Sequence, residues 1–212
     1  MLAACMASWL PQTVLAASIA VDVGHYLAKP GVISARGVPE FEYNLKLARE
    51  IEIALKRAGH RTLLIGDDGL GEDLAKRAPR ASGRDLFISI HHDSVQPRFL
   101  SAWEYQGETL NYSDKFAGYS LFVSRLNGHT KTSLRCASAI GAALRHAGFT
   151  PSRYHADPVV GENRPFADEA NGVHYFDNLA VLKTASIPAL LFEAGVIVNR
   201  DEELRMRDPT VR

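Results

Sequence analysis

His25, Glu40, His91 and Glu193 are the residues whose types and positions suit hydrolytic chemistry. His25 closes Asp22-Val23-Gly24-His25 after an apolar, strand-like run, and His91 follows another such run in Ser89-Ile90-His91-His92-Asp93. Glu40 stands at the front of a helix-like segment, and Glu193 ends Ala189-Leu190-Leu191-Phe192-Glu193. Two imidazoles and one carboxylate form a common catalytic zinc set that leaves a position open for water. Zinc lowers the pKa of that water and polarises a carbonyl oxygen. A nearby carboxylate can then take the water's proton and pass it to a leaving nitrogen. Spacing alone does not separate this reading from histidines that merely end buried strands.

The elements that must position these residues alternate between strand and helix patterns. Strands are expected at Ile19-Ala20-Val21-Asp22-Val23, Thr62-Leu63-Leu64-Ile65, Asp85 to Ile90, Tyr119 to Ser124 and Ala189 to Glu193. Between the first two, Leu45, Ala48, Ile51, Leu55 and Ala58 recur at the spacing of one helical face, and Gly59 is expected to stop that helix. A short helix is expected over 70–77, and a second long one over 132–147, closed by Gly148. Alternating strands and helices predict a single α/β domain with a mainly parallel central sheet flanked by helices. Sites in such sheets gather where strands end, which is where His25, His91 and Glu193 lie.

The residues around these positions make a more specific pattern. Ile19-Ala20-Val21-Asp22-Val23-Gly24-His25 resembles the opening motif of the zinc-dependent N-acetylmuramoyl-L-alanine amidases, the family-3 amidase domain. Gly37-Val38-Pro39-Glu40-Phe41-Glu42-Tyr43-Asn44-Leu45 resembles that family's second motif, a Glu followed four residues later by Asn-Leu. Asp85 to His91 is similar to the third motif. Pro188 to Gly195, followed by Asn199 and Asp201-Glu202, is similar to the fourth. The resemblance implies that His25, Glu40 and His91 hold one Zn2+ and that Glu193 is the catalytic base. Glu42 competes for the ligand role, but the spacing to Asn44-Leu45 favours Glu40. Asp22 either supports a ligand imidazole or is a solvated strand-end carboxylate. His174, in Asn171-Gly172-Val173-His174-Tyr175, either contacts substrate or sits in an exposed loop. His92, beside a ligand, is expected to point away from His91 and to be structural or on the rim. His60, His129, His146 and His155 have no metal-like context and read as surface residues.

The same resemblance implies a substrate: the amide between the lactyl group of N-acetylmuramic acid and L-alanine in peptidoglycan. A zinc peptidase acting within stem peptides, and a non-catalytic wall-binding or regulatory module, are the rival readings. Three departures from the family pattern stand out. Tyr26-Leu27 replaces the usual glycine after the first His. The stretch 95–118 is longer than a simple connection, and regulated relatives can carry an inhibitory helix over the zinc; Trp103, Tyr105 and Leu110 either line the groove or pack a loop. The chain ends at Arg212 in a charged segment in which no closing helix is read.

Composition bounds these readings. The 212 residues suit one domain with a short leader. Lys and Arg total 24 against 24 for Asp and Glu, so bulk charge supports neither nucleic-acid binding nor attachment to an acidic membrane. Residues 1–20 carry no charged side chain and pass into Val14-Leu15-Ala16-Ala17. Residues 1–17 read as a signal peptide cut near Ala16 or Ala17, with a disordered or partly buried N-terminal arm as the alternative. The interrupted stretch is too short to span a membrane. Residues 18–212 would then form an exported catalytic domain, periplasmic or associated with the wall, with wall targeting left to a protein partner, such as an activator, or to the groove itself. Of the two cysteines, Cys5 falls in the leader, and Cys136 reads as a buried thiol on an amphipathic helix.

Overall fold

The computed structural model describes residues 15–71, 74–159 and 162–211. Most of the expected leader, including Cys5, lies outside the described residues. The chain runs β1 (Ser18–Val23), α1 (Glu40–Arg57), β2 (Arg61–Ile65), α2 (Leu74–Arg77), β3 (Leu86–Asp93), β4 (Ser101–Tyr105), β5 (Glu108–Tyr112), β6 (Ser120–Val123), α3 (Thr130–His146), β7 (Phe166–Asp168), β8 (Val173–Tyr175), α4 (Ala180–Lys183), β9 (Ala189–Val196) and α5 (Arg200–Arg207). A seven-stranded sheet has the order β2-β1-β3-β9-β6-β8-β7. Its β2, β1, β3 and β9 pair in parallel, as do β6 and β8, while β6 is antiparallel to β9 and β7 to β8. The fold is therefore α/β with a mixed, mostly parallel sheet.

Strand alternation sorts side chains to the two faces of this sheet. From β1, Ile19, Val21 and Val23 enter one apolar cluster with Phe41 and Ala48 of α1 and Ala137 of α3. Ala20 enters a second cluster on the opposite face, with Phe87, Ala78, Leu182 and Leu191. Asp22, two residues on from Ala20, therefore faces the side where α2 and α4 pack.

Both long helices stop at their glycines. Gly59 has φ 85° and Gly148 φ 89°. After α1, the amides of Gly59 and His60 donate to Lys56 O and Leu55 O, and Gly148 and Phe149 repeat this pattern after α3. Left-handed φ at that position costs glycine little and lets the last carbonyls find donors. Charge also suits α1, with Glu40 and Glu42 in its first turn and Lys56 and Arg57 in its last.

One open alternative is resolved and two features differ from expectation. The stretch 95–118 folds largely into the β4–β5 hairpin, whose Trp103 Nε1 donates to Ala35 O at 2.8 Å. Arg36 and Arg200 lie over the Trp103 ring at 5.4 and 5.1 Å. The hairpin is thus strapped to the loop before α1. The charged C-terminal segment does contain a helix, α5, capped by the Asn199 side chain, which accepts from the amides of Asp201 and Glu202. His155, expected at the surface, is buried. Its Nε2 lies 2.6 Å from Asp93 Oδ2 and its Nδ1 2.8 Å from Glu162 Oε2. Two carboxylates, one of them from distant β3, make that burial tolerable.

Candidate metal centre and amidase site

Glu40 sits at the centre of the site because α1 begins there, at the carboxyl end of the parallel strands. The side chain is buried. Its Oε2 lies 3.0 Å from His25 Nε2, and its Oε1 lies 3.0 Å from His91 Nδ1. One donor atom from each of the three residues falls within 4.8 Å of the others. The two imidazoles stand edge to face, with ring centroids 5.0 Å apart.

Neighbouring groups fix this carboxylate. Asn44, one helical turn on, donates through Nδ2 to Glu40 Oε1 and to Gly24 O, both at 3.1 Å. The amides of His92 and Val32 donate to Oε1 and Oε2 at 3.2 and 3.3 Å. The Glu-x-x-x-Asn spacing therefore has a physical reason: the amide ties the Glu40 carboxylate to the turn that carries His25. Burial pushes the Glu40 carboxyl up, but the hydrogen bonds to His25 and His91 outweigh it and hold the group well below the usual carboxylate range. His92 points away from the centre, as expected. It is buried, and its Nδ1 meets Asn44 Oδ1 at 2.8 Å. Glu42 is exposed and makes an i,i+4 pair with Lys46, so the structure brings Glu40 and not Glu42 to the two histidines.

Glu193 joins the group through strand register. His91 and Glu193 are direct partners across β3 and β9, and the ladder breaks register immediately after them. Glu193 Oε2 is buried and has no hydrogen-bond partner. Burial, then the charges of Asp93 and Glu40, pushes its carboxyl well above the usual range. His25, His91 and Glu193 line a cleft of about 970 Å³, together with Tyr26, Leu179 and Leu191, among others. Leu179 and the start of α4 supply an apolar wall that the sequence reading did not single out; the apolar run Leu179-Ala180-Val181-Leu182 was its only signal.

The donor set fits zinc. Two imidazole nitrogens and a carboxylate oxygen converge, and two glycines let the backbone pass close beside them. A Cβ on Gly24 would fall 2.4 Å from His91 Nε2, and one on Gly31 would fall 2.3 Å from Glu40 Oε2.

Residues 19–212 match a family model described as N-acetylmuramoyl-L-alanine amidase. The chain belongs to the N-acetylmuramoyl-L-alanine amidase family. Among relatives of this amidase-family chain, the amidase AmiC of Escherichia coli is 24% identical over 210 residues, covering 91% of this chain and 48% of that protein. AmiC of Neisseria meningitidis is 26% identical over 208 residues, covering 87% and 46%. The chain thus spans about half the length of the curated relatives it matches. Its fold is that of a solved N-acetylmuramoyl-L-alanine amidase from Clostridium difficile, with a TM-score of 0.70 at 18% identity over 92% of this chain and 88% of that one. An N-acetylmuramyl-L-alanine amidase from Mycobacterium smegmatis gives 0.69 at 20% identity, over 92% and 89%.

Other candidate residues of this amidase-family chain lie apart from the centre. Asp22 is buried and turns from both imidazoles: its Oδ1 accepts from Arg77 Nη1 at 2.9 Å and its Oδ2 from Ser89 Oγ at 2.6 Å. It is not a solvated strand-end group. His174 is wholly buried in β8, with neither ring nitrogen hydrogen-bonded, and its ring packs 4.3 Å from that of Phe166. It is neither in an exposed loop nor on the cleft wall described here. Burial, then the charge of His155, pushes His174 down to about 4. Of the other histidines, His129 and His146 are exposed, and His60 is partly buried, accepting from Ala17 N at 3.1 Å. No residue of 95–118 lines the cleft. Among the described residues, no helix is long and apolar enough to cross a membrane.

Proposed function

We propose that this chain hydrolyses the amide between the lactyl group of N-acetylmuramic acid and L-alanine in peptidoglycan. The observation that carries the reading is the convergence of His25, Glu40 and His91, with Glu193 the register partner of His91, where His25, His91 and Glu193 line a cleft. Family membership supports the bond that is cut.

His25, Glu40 and His91 would hold a single zinc ion. Zinc bound there supplies Lewis acidity toward the scissile carbonyl and lowers the pKa of a nearby water. Glu193 takes the proton of the attacking water on its unpaired Oε2 and returns it to the departing amine nitrogen. The apolar wall from Leu179 and Leu191 seats the substrate and keeps bulk water from the reacting carbonyl. The β4–β5 hairpin contributes nothing to the described cleft wall, which supports entry of substrate without displacement of that segment. The uncharged residues 1–17 support export to the wall, and any activator would be a protein of that compartment.

Mass spectrometry of purified peptidoglycan digested by the chain tests this. Free stem peptides that begin with L-alanine, lost on chelation and restored by zinc, are expected. Fragments cut within the stem would replace the amidase reading with a peptidase, and intact peptidoglycan under zinc-replete conditions would overturn it.

A further inference from the structure

We infer that Arg77 is a positioning residue for the metal site: its guanidinium holds the backbone of His25 in the conformation that turns the imidazole toward Glu40. The inference rests on the reading that His25, Glu40 and His91 hold the metal. Arg77 ends α2, far from the ligands in sequence, and is 1% exposed. Its Nη2 donates to His25 O at 2.6 Å, and its Nη1 donates to Val23 O and to Asp22 Oδ1. One planar group thus gathers the carbonyls on either side of Gly24. A lysine ammonium lacks this fork.

The conformation held is an unusual one. His25 has φ 66°, in the left-handed region that few side chains other than glycine adopt readily. Such a residue persists only where its surroundings over-determine it. Here the carbonyl of that same residue is the one Arg77 takes. The hold extends to the second ligand strand: Asp22, paired to Arg77, accepts from Ser89 two residues before His91, and Gly24 N donates to Ile90 O at 2.9 Å. Gly66 makes room for the guanidinium, since a Cβ there would fall 3.0 Å from Arg77 Nη2.

Stability alone is a poor reason for this arrangement. Burying an ion pair costs desolvation that a well-packed apolar pair avoids. What the ion pair adds is geometry at His25. A purely structural Arg77 would set the melting temperature and leave the metal affinity of the folded protein alone.

The test is zinc affinity, measured by competition with a chromophoric chelator on the full chain, with circular dichroism as the check on folding and the visible spectrum of the cobalt-substituted protein as a probe of ligand geometry. Arg77→Lys keeps the charge beside Asp22 and loses the fork. It is expected to fold, to bind zinc roughly 10–100-fold more weakly and to shift the cobalt bands. Asp22→Asn, which weakens the anchor of the guanidinium without removing it, is the second variant and is expected to weaken zinc in the same direction. A folded Arg77→Lys with wild-type zinc affinity and cobalt spectrum overturns the inference, and failure of both variants to fold assigns Arg77 to the fold alone. His91→Ala is the control on the premise. If the wild-type chain does not bind zinc, or His91→Ala binds it equally well, the metal reading itself fails.

Discussion

Gly24 stands directly against the ring of His91, so close that a methyl group on its Cα would lie 2.4 Å from both Nε2 and Cε1. A residue just past β1 and one in β3 are therefore fitted to each other, and the smaller one must stay small. Gly24→Ala is expected to fold, because the position does not need positive φ, and to displace the imidazole. Zinc affinity should fall roughly tenfold or more, in line with perturbed metal-site supports. Chelator competition measures this, and an unchanged affinity would show that His91 is not a ligand.

Glu193 has a narrower role, which one atom's difference can expose. Glu193→Gln keeps the shape and removes the proton acceptor. Turnover on peptidoglycan should fall by roughly 10²–10⁴-fold, the usual contribution of a general base, while the zinc content by atomic absorption stays at the wild-type level. Retained turnover would move the base elsewhere.

Metal binding should also be visible in stability. The three donors come from separate segments of the chain, so zinc held by them would favour the folded state over the unfolded one. At a free zinc concentration about 100 times the dissociation constant, the gain is about 2.7 kcal/mol. A melting temperature that rises with zinc and falls back with chelator is expected, and His25→Ala should abolish the dependence.

Two buried histidines give stability a pH profile with opposite limbs. Burial pushes His155 down, but Asp93 and Glu162 outweigh it and raise the imidazole to about 9. An unfolded histidine titrates near about 6.5. The His155 contribution is therefore complete below that value and is lost as pH rises through about 9. His174 is lowered to about 4, so its contribution is complete above the unfolded value and is lost as pH falls toward about 4. The melting temperature of the metal-free protein should decline on both sides of this crossover. His155→Gln should flatten the alkaline limb and His174→Phe the acid limb, and unchanged limbs in a pH series of thermal melts would refute the assignments.

Glu203 locks α5 to the loop before α1. It is wholly buried and accepts from Ser34 Oγ at 2.8 Å, Tyr43 Oη at 3.0 Å and Arg36 Nη1 at 2.7 Å. Glu203→Ala strands three donors, one of them charged, and should destabilise by about 3–5 kcal/mol, read from the urea midpoint. A loss below about 1 kcal/mol would mean that the pair behaves as a surface contact.

The sequence by itself determined much of what lies close along the chain. The central strands, α1 and α3, the stops at Gly59 and Gly148, and the place of His25 just past β1 were legible because periodicity and turn chemistry act locally, whereas β3 and β9 run on past His91 and Glu193, which were read as lying at strand ends. The Glu40–Asn44 spacing was legible for the same reason, being one helical turn. Only the tertiary structure decided the rest. Asp22 could not be known to face Arg77, nor His155 to sit between Asp93 and Glu162, because the burial of a charge depends on which distant segment brings its partner. The antiparallel join of β6 to β9 and the strapping of the β4–β5 hairpin by Trp103 are likewise long-range choices. Spacing fixes which side chains share a face; only packing fixes what that face meets.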